Sequence, residues 1–191
     1  VNEEQIIEIA SYSNAVGTII AAIGEVRSLM GIDGQNVLLS IIGDALQALS
    51  GFLGGIITSD EELCFAGNWI TGVGAGAASA ASYLAMLDQL TEEEALRLNI
   101  LGDTLQATGD TMCTITSWEA GDERITFGNA AQALGAKLRG IGGTLILKGD
   151  ERTGQRLSTL GAILQAIGAN SNAFYELSDL STERARTSIY S

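Results

Sequence analysis

Four glutamines recur in one phrase and are the first candidates for chemistry. Gln47, Gln106, Gln132 and Gln165 each stand four residues after a glycine, in segments 43–50, 102–109, 128–135 and 161–168. Weaker copies of the phrase run from Gly17 to Gly24 and from Gly67 to Gly74. A glutamine amide donates and accepts hydrogen bonds but does not titrate, so it orders neighbours or holds a polar solute. The remaining candidates are Cys64, Cys113, the run Glu92–Glu94, and the pair Trp69 and Trp118. With no histidine in the chain, Ser-His-Asp and Cys-His nucleophile systems and most zinc sites are excluded. The helical iron motif Glu-x-x-His is excluded with them. There is no nucleophile elbow, Walker lysine phrase or Cys-x-x-Cys. The glutamate run opens a helix, where it complements the helix dipole. Neither tryptophan has companions at the spacing of a cage. The expectation is a protein that is not an enzyme, with no catalytic residue, no metal ligand and no cofactor.

Composition narrows the partners. The 191 residues carry a formal net charge of −13, which argues against nucleic acid, whose phosphates require lysine and arginine. Residues 1–96 hold thirteen acidic groups and one basic group, Arg27, whereas residues 97–191 hold ten and nine. Such asymmetry suits a basic protein partner or a homo-oligomer associating head to tail. Two cysteines are too few for a disulfide framework and favour a reducing, cytoplasmic setting. The acidic start, Val1 to Gln5, lacks the basic and apolar regions of a secretory signal.

Apolar residues recur at helical spacing, and the absence of proline agrees with helices. Polar breaks divide the chain into six segments, 4–31, 36–58, 60–88, 92–118, 122–147 and 151–177. Ser59 to Glu62 and Thr91 to Glu94 read as capping boxes, Asp122 and Asp150 as N-caps, and Asp33-Gly34 as a turn. Each helix carries one copy of the phrase. Asn14, Asn68 and Asn129 match in helices one, three and five, and Asp44 matches Asp103 in helices two and four. The repeating unit is therefore a helical hairpin, present at 1–58, 59–118 and 119–178. The fold expected is all-α, an antiparallel up-down bundle of six long helices in one domain, 1–178, followed by a polar tail, 179–191.

Glycine inside a helix costs about 1 kcal/mol relative to alanine. Close helix contact offsets that cost, so Gly17, Gly24, Gly43, Gly67, Gly74, Gly102, Gly109, Gly128, Gly135, Gly161 and Gly168 are assigned to it. Reflection through the turns matches Gly24 with Gly43, Gly74 with Gly102 and Gly135 with Gly161. It also matches Gly43 with Gly74 and Gly102 with Gly135, giving two glycine layers around a common axis. The four glutamines would form a buried polar layer between them, setting register; the alternative is the lining of a ligand cavity or channel. Leu63 to Leu87 carries no charge and reads as the central helix of a soluble bundle. Reflection places Cys64 beside Cys113, read as buried, inert thiols or, in an oxidising compartment, a disulfide.

The recurring Gly-x-x-Leu-Gln-Ala-x-Gly phrase resembles an uncharacterised bacterial family of repetitive helical proteins over about residues 5–175. The resemblance implies an all-helical fold and transfers no functional residues. The function expected is that of a structural or protein-interaction module. The alternatives are a membrane-active or pore-forming protein inserting helices two and three, and a carrier of a small apolar ligand.

Overall fold

The computed structural model describes residues 2–189, with side chains through Arg186. Among the described residues there are six helices and no strand: α1 (Glu3–Leu29), α2 (Asn36–Ile57), α3 (Glu62–Met86), α4 (Glu92–Glu119), α5 (Glu123–Leu147) and α6 (Glu151–Ile189). Their ends follow from capping chemistry. Thr91 accepts from the Glu94 amide while Glu94 reaches back to the Thr91 N–H, so two first-turn donors are satisfied reciprocally. Asp122 accepts from the amides of Arg124 and Ile125, and Asp150 from that of Thr153. A further box, Asn2 with Gln5, opens α1. The box read at Ser59 to Glu62 does not form: Glu61 is the N-cap and has no side-chain cap bond. The Glu61 N–H donates to the Thr58 carbonyl, a tight turn that leaves Ser59 ahead of the helix. Gly121, at φ 75°, closes α4 in the left-handed conformation that glycine adopts without penalty. Asp88, at φ 56°, fills the equivalent place after α3, a position its short polar side chain tolerates better than most.

The helices form a closed ring. Each packs on its neighbours in the chain, and α6 returns to pack on α1; among the described residues no other helix pair brings its backbones together, and helices across the ring meet only through side chains. The α3 segment, expected at the centre of a bundle, is an ordinary member between α2 and α4. Its small residues let two neighbours approach, and what occupies the middle is polar. Segment 179–189, read as a tail, continues α6. Leu180 is buried, and Arg184 pairs with Glu4 and Glu8 of α1 at 2.9 and 2.7 Å. Residues 190 and 191 of the expected tail lie outside the described residues.

Close contacts within α1/α2, α3/α4 and α5/α6 run through glycines. Gly17 lies against Gly43, Gly67 against Gly109, Gly74 against Gly102, Gly128 against Gly168 and Gly135 against Gly161. A methyl placed on Gly74 would stand 2.6 Å from the Gly102 carbonyl oxygen, well inside van der Waals contact. Three expected matches are not found. Gly24 faces Asn36, Leu39 and Ser40 of α2, not Gly43, because α1 and α2 are staggered at a turn the reflection treats as symmetrical. Gly43 does not face Gly74, since α2 meets α3 through Gly51 and Gly72. Gly102 does not face Gly135, since α5 meets α4 through Gly140 and Gly143, the latter packing on Ile100. For the last two the physical reason is angular: a stripe of seven-residue spacing covers one neighbour, and the other neighbour needs a different row of the helix.

The large apolar side chains point outward. Among the described residues, the buried apolar side chains are alanines, Cys64, Cys113 and Leu180. Many isoleucine, leucine, valine and aromatic residues are exposed, as with Ile9, Tyr12, Val16, Ile19 and Ile23 along α1, while others are half-buried between helices and a few, such as Ile57, Ile100, Ile125 and Ile146, reach the interior cavities. Trp118 and Phe174 are 71% and 68% exposed. This inverts the usual partition, in which such residues supply the core.

Candidate functional site

Inside the ring, polar side chains meet from every helix. Gln47, Gln106, Gln132 and Gln165 are all buried. Gln165 donates to Gln106 Oε1 at 3.3 Å, Gln132 accepts from Asn14 Nδ2 at 2.8 Å, and Gln47 donates to Asp44 Oδ1 at 3.3 Å. Beside them sits a charged cluster that the sequence reading did not assign. Arg139 of α5 places Nη1 at 3.5 Å from Asp44 Oδ1 and Nε at 3.3 Å from Asp103 Oδ1. Its Nη1 also donates to Gln165 Oε1 at 3.1 Å. All three charged side chains are at least nine-tenths buried. Two carboxylates thus share one guanidinium, and Glu25, itself bonded by Gln155 at 2.8 Å, adds its field to the same group. Burying charges in this way requires such pairing, because each ion loses its hydration.

Two cavities with mixed polar and apolar walls adjoin the cluster. One, of about 330 Å³, is walled by all six helices, including Ser11, Ser50, Asn68, Asp110, Asn129 and Asn172. The other, of about 260 Å³, is also walled by all six, including Glu25, Ser40, Ser82, Asn99, Arg139 and Ser158. Asn172 donates to Asn129 Oδ1 at 2.7 Å, and Thr71 donates to Asp110 at 3.0 Å. Three buried amide atoms, Asn99 Oδ1, Gln106 Nε2 and Asn172 Oδ1, have no hydrogen-bond partner within the protein. Buried polar atoms are ordinarily satisfied, so a polar interior of this kind suits water or a polar solute.

Cys64 and Cys113 form a disulfide, with a Cα–Cα distance of 4.3 Å. The expectation of two inert thiols is corrected here: the Gly67–Gly109 contact brings the α3 and α4 backbones close enough to bond them. Closing a loop of sequence separation 49 removes denatured-state entropy worth about 4 kcal/mol in the chain-entropy model. The Glu92–Glu94 run does its work at the start of α4, where Glu94 completes the cap and Glu93 pairs with Arg97 at 2.6 Å.

Part of this site was within reach of the sequence. The matched asparagines Asn14, Asn68 and Asn129, and the aspartates Asp44 and Asp103, already stood out as repeat positions, and all five line the two cavities. Arg139 was missed. Its signal is the rarity of charge between Ile125 and Leu147, where the other charged residue is Lys137.

No curated protein and no solved structure matches the chain. With its all-helical architecture, the chain belongs to a family of unknown function, DUF6944, whose model matches residues 5–173.

Proposed function

We propose that this chain is a membrane-embedded helical ring that encloses a polar passage, not a soluble interaction module. The observation that carries the reading is the inverted partition of side chains, apolar outside and polar within. A soluble surface rarely exposes such an extensive apolar area, whereas lipid requires one. Every helix has at least 22 residues, and about 20 cross the hydrocarbon core. Two of them, Glu3–Leu29 and Asn36–Ile57, are also apolar enough by hydropathy to cross a membrane.

Charge placement supports the same reading. Residues 9–24, 63–87 and 157–175 carry no charge, and α2 carries only Asp44. Within the middle of α4 and α5, Asp103, Asp110 and Arg139 face the cavities. Charges inside a bilayer are expensive and turn toward such interiors. Lys137 is the exception, exposed in a groove with Thr104, Thr108 and Thr111. Those threonine hydroxyls donate to carbonyls four residues back, which satisfies them without water. A second copy packed on this α4–α5 face would cover Lys137, making a homo-oligomer the best-suited partner.

At the α3/α4 and α5/α6 turns the glycine pairs step outward by equal numbers of residues. They support an up-down, antiparallel ring of three hairpin repeats, 1–58, 59–118 and 119–178. On that reading Arg27, Arg97, Lys148, Arg152 and Arg156 gather at one end, and Arg124, Arg184 and Arg186 at the other. The richer end belongs on the cytoplasmic side. The disulfide lies near the opposite end, the oxidising side, so two independent signals give one orientation. An apolar-ligand carrier has less support: the apolar groove among Ile19, Ile23, Ile163 and Ile167 opens outward, and the interior cavities take polar side chains from every helix.

Flotation tests the proposal. The full chain, mixed with preformed liposomes after detergent removal, is expected to rise with the lipid through a density gradient and to resist extraction by high salt and carbonate. Protein that stays at the bottom of the gradient and dissolves without detergent would overturn it.

A further inference from the structure

The seam where α6 closes on α1 is built differently from the rest. Among the described residues, every other seam has a glycine facing the neighbouring helix, and this one has none. Its links are polar instead: Gln155 with Glu25, Asn170 with the Ala15 carbonyl, and Ser11 with Glu176. On its outer side runs an apolar groove of about 500 Å³, walled by Ile19 and Ile23 of α1 and by Ile163 and Ile167 of α6. All four isoleucines are exposed. Asn170, at the deep end, turns its amide nitrogen to the Ala15 and Ala166 carbonyls.

The opposite end of the groove is basic. Arg27 lines it, one helical turn beyond Ile23. Arg156 stands seven residues before Ile163, hence on the same stripe of α6. The Gln155–Glu25 bond brings this turn of α6 beside the last turns of α1. Arg27 donates to two neutral acceptors, Asn36 Oδ1 at 3.0 Å and the Asp33 carbonyl at 3.3 Å. Of the carboxylic residues nearby, Asp150 caps α6 and Glu25 lies inside the ring, bonded by Gln155. Asp33 and Glu151 form no ion pair, so no carboxylate pairs with either guanidinium.

We infer that the groove seats an acyl chain of an anionic phospholipid, whose headgroup phosphate is bound by Arg27 and Arg156. The guanidinium fork matches phosphate oxygens, and basic pockets between transmembrane helices on the cytoplasmic side take anionic headgroups. From Arg27 to Ile19 the wall descends about 12 Å, which sets the arginines at headgroup depth and the isoleucines beside the hydrocarbon chain. The inference rests on the membrane reading and adds to it a lipid of selected charge at one seam.

Native mass spectrometry of the detergent-solubilised full chain, titrated with phosphatidylglycerol or with phosphatidylcholine of the same acyl chains, reads bound lipid directly. The wild type is expected to retain one phosphatidylglycerol and to bind the choline lipid about tenfold more weakly. Arg27→Gln/Arg156→Gln is expected to lose that preference. Arg124→Gln/Arg186→Gln, which removes the same charge from the opposite end, is expected to keep it. Ala166→Phe fills the groove while both arginines remain, and is expected to bind phosphatidylglycerol several-fold more weakly. Because the groove opens outward, the larger side chain has room and the fold is retained. Equal binding of the two lipids by the wild type, equal losses in the two double variants, or full binding by Ala166→Phe would overturn the inference. Flotation reports on membrane insertion separately, so a chain that floats without a lipid preference contradicts this inference alone.

Discussion

Arg139→Met is expected to lower stability by about 3–5 kcal/mol, the usual penalty for removing one partner of a buried ion pair. The guanidinium reaches Asp44 and Asp103 across the ring, so its loss leaves two carboxylates facing each other in a confined space. Adding Asp44→Asn and Asp103→Asn to the same chain is expected to recover most of that loss, because the destabilisation comes from unpaired charge, not from missing packing. Denaturation of the three proteins in one detergent checks this. Arg139→Met melting with the wild type would mean that water already compensates these aspartates. In that case the cluster would separate the two cavities less tightly than its distances imply.

Gly135→Leu is expected to cost about 1–3 kcal/mol through overpacking. A Cβ there would stand 2.5 Å from the Gly161 carbonyl oxygen and 2.7 Å from Gln165 Cγ. Backbone does not yield as a flexible side chain does, so α5 and α6 must separate. The gap would reach Gln165, whose amide bridges Arg139 and Gln106, and the polar layer would loosen with the helices. Gly76→Ala makes the matching control: its added methyl meets only Ala48 Cβ at 3.7 Å, an ordinary contact. With no clash to offset it, the higher helix propensity of alanine should leave that variant as stable as the wild type or up to about 1 kcal/mol more so. Equal melting of Gly135→Leu and the wild type would show that this crossing is not tight.

These expectations show what the sequence made legible. Helix ends follow from local chemistry, so Thr91 with Glu94, Asp122 and Asp150 could be read directly. Glycines seven apart signal a helix crossing, and contacts such as Gly74 with Gly102 follow from reflection through a turn. Stagger is set by three-dimensional packing, which is why Gly24 meets Ser40 and not Gly43. The proximity of Cys64 to Cys113 was visible by the same reflection, while the bond between them was not, since spacing says nothing about redox state.

The direction in which each helix faces was harder to read. Periodicity separates two faces of a helix but does not say which is inside, and apolar faces ordinarily turn inward. One clue ran the other way. If Gly43 and Gln47 belong to the contact face, Ile42 and Leu49 must look elsewhere, and both are exposed. The polar lining then follows, because Asp44, Gln106 and Asn172 need a wet or polar interior once lipid takes the exterior. Arg139 could be suspected only as a rare charge in an apolar stretch; its partners depend on α2, α4 and α6 meeting at one place.

The central claim is that the outer face touches lipid, and the native tryptophans can report it. Trp69 and Trp118 are both exposed on the exterior toward the ends of their helices, where tryptophan favours the membrane interface. Their fluorescence should be measured in vesicles of phosphatidylcholine brominated either high or low along the acyl chain. Strong quenching is expected, greater when the bromines sit near the headgroup. Emission indistinguishable from that in unbrominated vesicles, with the protein co-sedimenting with lipid, would contradict a lipid-facing exterior.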